Sequence, residues 1–192
     1  ITLTDPKGNA YHFEYDAVGH QTALVYPDGS SETTTYDQAG NQLSYTNRAG
    51  AVRSFIYDSR NREVSSDWSD GSQHIDKAYD AAGRMTLEDN RVSKLTFTYN
   101  SLGQLTSETQ DLSAVVTGGT VKPAPRTIAY AYDVDGRRDT LTYPDGTVIT
   151  YTYNARGLLQ DIIGNGVQPP IASYDYDAAG NATLMPREDS TQ

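Results

Sequence analysis

The sequence predicts an all-β fold of stacked antiparallel β-hairpin repeats with a period of about 21 residues. Eight times a tyrosine is followed by Asp or Asn and, three residues later, by Gly or Asn. The successive tyrosines are separated by 21, 21, 22, 20, 33, 21 and 23 residues. This period is too short for a helical hairpin repeat and fits two short strands with two turns, the unit that stacks into β-solenoids and shells. We therefore expect a curved sheet and look for function in its assembled surface.

Each repeat is centred on a five-residue pentad that begins with the tyrosine. The defining residues are Tyr15, Asp16 and Gly19; Tyr36, Asp37 and Gly40; Tyr57, Asp58 and Asn61; Tyr79, Asp80 and Gly83; Tyr99, Asn100 and Gly103; Tyr132, Asp133 and Gly136; Tyr153, Asn154 and Gly157; and Tyr176, Asp177 and Gly180.

The segment before each tyrosine is predicted to be a strand. Six copies carry an aromatic residue two positions upstream of the tyrosine, as in Phe55 with Tyr57 and Tyr151 with Tyr153. A spacing of two places both rings on one face of a strand. Polar residues such as Thr150 and Thr152 fall on the other face. This alternation predicts a half-buried antiparallel strand.

The pentad itself is predicted to be a tight turn. An Asp or Asn side chain can accept a hydrogen bond from the backbone two residues on, and glycine tolerates a positive φ. Asn61 is the residue type that best replaces glycine at such a position. A second strand should follow and end in a second turn, which Pro-Asp-Gly marks at Pro27-Asp28-Gly29 and Pro144-Asp145-Gly146.

Together these motifs resemble the Rhs, or YD-repeat, family, which includes bacterial Rhs polymorphic toxins, wall-associated proteins, toxin-complex B and C subunits and teneurins. The resemblance extends over essentially the whole chain. It implies a β-sheet ribbon that spirals into a hollow shell and encloses or presents a C-terminal toxin or recognition domain. It also implies a secreted or cell-surface location in bacteria, with adjacent repeats and an enclosed polypeptide cargo as partners.

The domain organisation follows from the repeats. Residues 1–192 are predicted to form one continuous array, with residues 107–127 as an inserted loop that contains Gly118-Gly119 and two prolines. The chain opens and stops within a repeat and has no starting methionine. We therefore expect a fragment of a longer array, whose exposed strand edges favour edge-to-edge self-association.

Composition excludes several classes of partner. The net charge of −10 argues against a nucleic acid or an anionic membrane surface, because both bind basic patches. No apolar run approaches the roughly 18 residues of a membrane span. The chain has no cysteine, which excludes a disulfide framework and thiolate metal sites.

No catalytic, cofactor or metal site is predicted, and we expect a protein that is not an enzyme. The histidines at positions 12, 20 and 74 lack metal-ligand spacing, and glycines recur with the repeat instead of forming a phosphate-binding loop. Glycosidases need one pair of carboxylates, whereas aspartate recurs here at the same position in six of the eight pentads. These carboxylates are therefore assigned to the turns.

Carbohydrate binding or cell-surface recognition is the alternative function. Aromatic rings beside polar groups are suited to holding sugars. Trp68, the only tryptophan of the chain, precedes the turn at Asp70-Gly71 and is the candidate ligand platform. Packing across the strands is the competing interpretation of Trp68.

Overall fold

The computed structural model describes residues 1–112 and 124–183, which are built from strands and turns without a helix. They fall into two compact units, one comprising residues 1–94 with Leu112 and the other residues 95–111 and 124–183. The same order of strand, pentad turn, strand and second turn is present in both units. The prediction of an all-β fold of antiparallel hairpin repeats is therefore confirmed.

The first unit is an antiparallel meander, in which every strand pairs with the next strand of the chain. Its strands are β1 (Thr2–Thr4), β2 (Ala10–Tyr15), β3 (Gln21–Val25), β4 (Ser31–Tyr36), β5 (Gln42–Thr46), β6 (Val52–Tyr57), β7 (Glu63–Trp68), β8 (His74–Tyr79) and β9 (Met85–Asp89).

The second unit repeats this arrangement. Its strands are β10 (Lys94–Tyr99), whose first residue belongs to the first unit, β11 (Leu105–Asp111), β12 (Arg126–Tyr132), β13 (Arg138–Thr142), β14 (Val148–Tyr153), β15 (Leu159–Gly164), β16 (Ala172–Ser173), β17 (Asp175–Tyr176) and β18 (Ala182–Thr183). Strands β11 to β16 pair in chain order, and β17 pairs with β18.

The two faces differ in exposure in some strands, as the alternation predicts. In β6, Phe55 and Tyr57 are half-buried, whereas Ser54 and Ile56, which alternate with them, are exposed. In β14 the predicted polar face, with Thr150 and Thr152, is half-buried like the face of Tyr151 and Tyr153. The hydrophobic core is nevertheless thin. Among the described residues only Ala23 and Ser66 are buried, with 8% and 3% of their surface exposed. The aromatic face is therefore incompletely covered by the described residues.

A β-bulge follows the pentad in six of the hairpins. In the hairpin of β6 and β7, Tyr57 is opposite Glu63 but Ile56 is opposite Ser65, so Val64 is an extra residue. The same shift occurs in the other five hairpins. A bulge increases the local twist of a strand pair, and its recurrence at one repeat position was not predicted from the sequence.

The inserted loop is shorter than the sequence predicts. Residues 107–111 belong to β11 and residues 126–127 to β12, with Gln110 opposite Arg126. The prediction of a loop over the whole range 107–127 is therefore wrong at both ends, because the two flanks pair as strands. The remainder of the predicted loop includes residues 113–123, which lie outside the described residues.

Candidate functional site

Six of the eight pentad turns have the same two hydrogen bonds from backbone N–H groups to the Asp or Asn side chain. In the first copy, Asp16 Oδ1 accepts from the backbone N–H groups of Val18 and His20 at 3.0 and 2.8 Å. The Gly19 N–H donates to the Asp16 carbonyl at 3.2 Å, and Gly19 has a φ of 97°. Asn154 makes the two side-chain bonds with its own Oδ1. The predicted turn chemistry of Asp, Asn and Gly is thus present in the structure.

The side chain of the residue after the pentad makes a contact that was not predicted from the sequence. It lies four positions after the Asp or Asn and, in most copies, its side chain bonds that residue. Arg62 Nε donates to Asp58 Oδ2 at 2.8 Å, and Asn41 Nδ2 donates to Asp37 Oδ2 at 2.8 Å. The residues at this position are His20, Asn41, Arg62, Arg84, Gln104, Arg137, Leu158 and Asn181.

The tyrosine of the following repeat completes the contact. Its hydroxyl donates to the backbone carbonyl of the residue directly after this side chain, over 2.7 to 3.1 Å. The pairs are Tyr36 with Gln21, Tyr79 with Glu63, Tyr132 with Leu105, Tyr153 with Arg138, and Tyr176 with Leu159. Each of these tyrosines therefore joins two successive pentad turns.

The intervening side chain also packs on the tyrosine ring. The guanidinium carbons of Arg62 and Arg137 lie 4.4 and 4.6 Å from the ring centroids of Tyr79 and Tyr153. The His20 ring stacks on Tyr36 with a centroid distance of 4.6 Å. We call this group of turn carboxylate, intervening side chain and next tyrosine the turn clasp. A cation over an aromatic face is stabilising by about 0.5–1 kcal/mol at exposed sites.

The glycine of the next pentad leaves room for the intervening side chain of the clasp. A Cβ added to Gly40 would lie 3.2 Å from His20 Nε2, and one added to Gly157 would lie 3.1 Å from Arg137 Nη1. In the copy without glycine, Asn61 has a φ of 59° and its Oδ1 accepts from Asn41 Nδ2 at 3.0 Å. The glycine position therefore serves both the local turn and the contact with the previous repeat.

The clasps hold the turn aspartates in the ionised form. The hydrogen bond from the Arg62 side chain lowers the pKa of Asp58 from 3.8 to about 2. The side-chain hydrogen bond from Asn41 likewise lowers the pKa of Asp37. These shifts have a structural cause that recurs along the chain, so they do not single out a catalytic carboxylate.

The second turns form contacts between repeats as well. Asp28 Oδ1 accepts from the Ser30 N–H at 3.0 Å, as expected for the Pro-Asp-Gly turn. Arg48, in the next second turn, bonds Asp28 Oδ2 at 2.6 Å and lies 4.0 Å over the Tyr26 ring. Arg48 therefore links these two second turns, because it bonds Asp28 and packs on the Tyr26 ring.

Trp68 lies at the end of β7, where the second turn begins, and it is half-buried. Its ring meets the Tyr45 ring edge-to-face, with centroids 6.1 Å apart. Both residues flank Arg53, which is opposite each of them in the sheet. This geometry favours packing across the strands over an open platform, and the proposed glycan platform stays a prediction.

The described residues contain no metal-ligand cluster. No group of three or more His, Asp or Glu side chains in residues 1–112 and 124–183 could hold a metal ion. His12 bonds the Thr2 hydroxyl, His20 belongs to a clasp, and His74 lies between two aspartates. In that part of the chain there is also no helix with the length and apolarity of a membrane span.

These features define a β-repeat protein in which the side chain after a pentad turn links that turn to the pentad turn of the next repeat. Residues 1–31 match the family model for the RHS repeat. The resemblance to the Rhs, or YD-repeat, family is therefore confirmed. No curated protein sequence matches the chain.

Solved structures of toxin complexes share the fold. The chain is similar to the crystal structure of TcdB2–TccC3–Cdc42, with a TM-score of 0.65, 14% identity and coverage of 94% of this chain and 11% of that chain. The crystal structure of TcdB2–TccC3 matches with a TM-score of 0.60 and 15% identity, over 94% of this chain and 12% of that chain. The Tc holotoxin pore of Photorhabdus luminescens matches with a TM-score of 0.55 and 19% identity, over 95% of this chain and 12% of that chain. The chain thus spans about an eighth of the length of the proteins it resembles.

Proposed function

We propose that this chain is a structural segment of an Rhs-type shell that encloses or presents a C-terminal toxin or recognition domain. The observation that carries the proposal is the incomplete cover of the aromatic face. Half-buried rings such as Tyr45 and Phe55 line this face in the first unit, and Tyr130 is a half-buried ring of the second unit, yet the described chain buries only one apolar residue, Ala23. Such a face gains stability when further polypeptide covers it.

The distribution of chemistry along the chain supports a structural role without catalysis. The carboxylates of the pentads are engaged by turn hydrogen bonds and by clasps, and the same arrangement recurs from Asp16 to Asp177. A catalytic carboxylate pair occurs once in a protein. The toxin-complex proteins with this fold are consistent with a bacterial protein that is secreted or lies on the cell surface.

Hydroxyl-radical footprinting tests the proposal by comparing this chain alone with the natural gene product that contains it. We expect several-fold slower oxidation of Tyr45 and Tyr130 in the natural product, because other polypeptide covers the aromatic face. Ile56, which is 61% exposed on the opposite face, is the internal control and should react equally in both samples. Equal labelling of the two tyrosines, or protection of Ile56 to the same degree, would overturn the proposal.

Edge-to-edge self-association is part of the same proposal. Strand β1 pairs with β2 and is the first strand in the sheet order, which leaves its other edge without a strand in the described chain. An unpaired edge favours pairing with another strand. Light scattering should show a mass that rises with concentration, and a constant monomer mass over a wide concentration range would contradict this part.

A further inference from the structure

A histidine and two aspartates form a cluster on the face of the first unit opposite the aromatic rings. His74 Nδ1 lies 2.6 Å from Asp67 Oδ1, and His74 Nε2 lies 2.8 Å from Asp76 Oδ2. Asp67 is in β7, directly opposite His74 in β8, and Asp76 is two residues further along β8. The His74 side chain is only 10% exposed, which makes it one of the less exposed polar groups of the hairpin.

Both ring nitrogens of His74 therefore face carboxylate oxygens. An ionised carboxylate only accepts hydrogen bonds, whereas a neutral imidazole has one N–H donor and one acceptor nitrogen. Two such contacts at hydrogen-bond distance require both nitrogens to be protonated. The geometry thus selects the imidazolium form of His74.

The charges around His74 come from three neighbouring strands and one turn. Asp67 is contributed by β7, Asp76 by β8 itself, and Asp89 by β9, where it is opposite Asp76. Arg91, in the turn after β9, lies 3.5 Å from Asp67 Oδ1. From β6, the residue opposite Asp67 is the uncharged Ser54.

Asp76 has a further partner that holds its orientation. The Ser65 hydroxyl donates to Asp76 Oδ1 at 2.7 Å from the opposite strand. This bond and the one from His74 lower the pKa of Asp76, so the acceptor stays ionised. The side-chain hydrogen bonds to Asp76 and Asp67 raise the pKa of His74 from its ordinary value of 6.5.

We propose that His74, Asp67 and Asp76 form a pH-sensitive ion-pair cluster that stabilises the hairpin of β7 and β8 at neutral and lower pH and no longer does so at higher pH. Deprotonation removes one of the two donors and leaves a carboxylate facing a ring nitrogen lone pair. The described chain contains no other histidine between two carboxylates. The hairpin is therefore the point at which alkaline conditions first loosen this part of the sheet.

The direction of the pH effect follows from the shift. A pKa that is higher in the folded than in the unfolded chain means that folding binds a proton. The stabilisation by His74 is fully present below a pH of about 6.5, the unfolded value. It is lost as the pH rises through the folded pKa. The expected response is therefore opposite to that of the turn aspartates, which lose their contribution in acid.

The single tryptophan is a local reporter for this test. Trp68 follows Asp67 in β7, and its backbone N–H donates to Gln73 across the same hairpin. Acrylamide quenching of Trp68 fluorescence, measured on the full chain between pH 5.5 and 9.5, should show one step towards greater accessibility with increasing pH. Nitrogen-15 NMR of the imidazoles should show both His74 ring nitrogens protonated at pH 6.

Two variants and a control distinguish the effect of the His74 cluster from general effects of pH. His74→Gln should remove the step, and Asp76→Asn should move its midpoint to lower pH by about one unit or more, since a neighbouring opposite charge shifts a pKa by this amount. His12→Gln, a substitution in β2 at a histidine that bonds Thr2, should retain the step.

Three results would overturn the proposal. These are a flat quenching profile in the parent chain, a step that persists in His74→Gln, and an unchanged midpoint in Asp76→Asn. If His74→Gln does not fold, the NMR protonation state of the parent and the midpoint of Asp76→Asn still decide the question.

Discussion

The guanidinium group of Arg62 lies 4.4 Å from the ring centroid of Tyr79. At the same time Arg62 Nε bonds the carboxylate of its own turn, that of Asp58, at 2.8 Å. One side chain thus satisfies a turn and provides the surface on which the next repeat packs. This relationship recurs with Arg137 and Tyr153 and, with an imidazole in place of the guanidinium, with His20 and Tyr36.

The tyrosine hydroxyl should contribute measurably to the link between repeats. In Tyr79→Phe the ring remains, but the hydrogen bond to the Glu63 carbonyl at 3.0 Å is lost. We expect the free energy of unfolding to fall by about 1 kcal/mol, the usual net value of one hydrogen bond. Urea denaturation measures this change. Tyr15→Phe is the matched control, because the Tyr15 hydroxyl has no hydrogen-bond partner among the described residues, and an equal loss in both variants would contradict the role.

The glycine of the pentad should resist β-branched substitution. Gly83 has a φ of 89°, and an added Cβ would lie 3.6 Å from Arg62 Nη1. We expect Gly83→Val to lower the free energy of unfolding by about 1–3 kcal/mol, because of backbone strain. Gly83→Asn should cost less, since Asn61 occupies the same repeat position with a φ of 59°. Thermal melts that rank the two variants in the opposite order would refute the strain argument.

Acid stability should depend on the charge of Asp58. Its pKa is about 2 in the folded chain and 3.8 when unperturbed. The stabilisation is therefore present above about pH 4 and is lost as the pH falls through about 2. Asp58→Asn keeps an Oδ1 acceptor for the turn, as Asn154 does, but removes the charge. We expect the free energy of unfolding to fall less steeply with acid in the variant, and parallel acid limbs would exclude a contribution from this charge.

Trp68 should act through packing rather than through glycans. Its edge-to-face contact with Tyr45 predicts that Trp68→Ala lowers the free energy of unfolding by about 1–3 kcal/mol, whereas Trp68→Phe retains a ring and costs less. Denaturant unfolding measures both. Calorimetric titration with a panel of glycans should give no saturable heat in the parent chain. Saturable binding that Trp68→Ala abolishes would instead support the carbohydrate-binding alternative.

The inserted loop illustrates where sequence interpretation stops. Residues 107–127 were predicted to be irregular because glycines and prolines follow Tyr99 over an unusually long step. Pairing of Gln110 with Arg126 extends β11 and β12 into that range. Strand pairing depends on a partner segment that is distant in sequence, so local composition alone did not define the ends of the loop.

The sequence by itself determined the repeat period, the aromatic face and the turn positions, because each depends on residues within one repeat: alternation sets the face, and Asp, Asn and Gly set the turn. Only the tertiary structure decided which residues join the repeats. Arg62 and Tyr79, or Gln104 and the carbonyl of Gly136 at 2.7 Å, meet because the pairing of the strands places successive turns side by side. Such contacts depend on strand register, which no single repeat specifies.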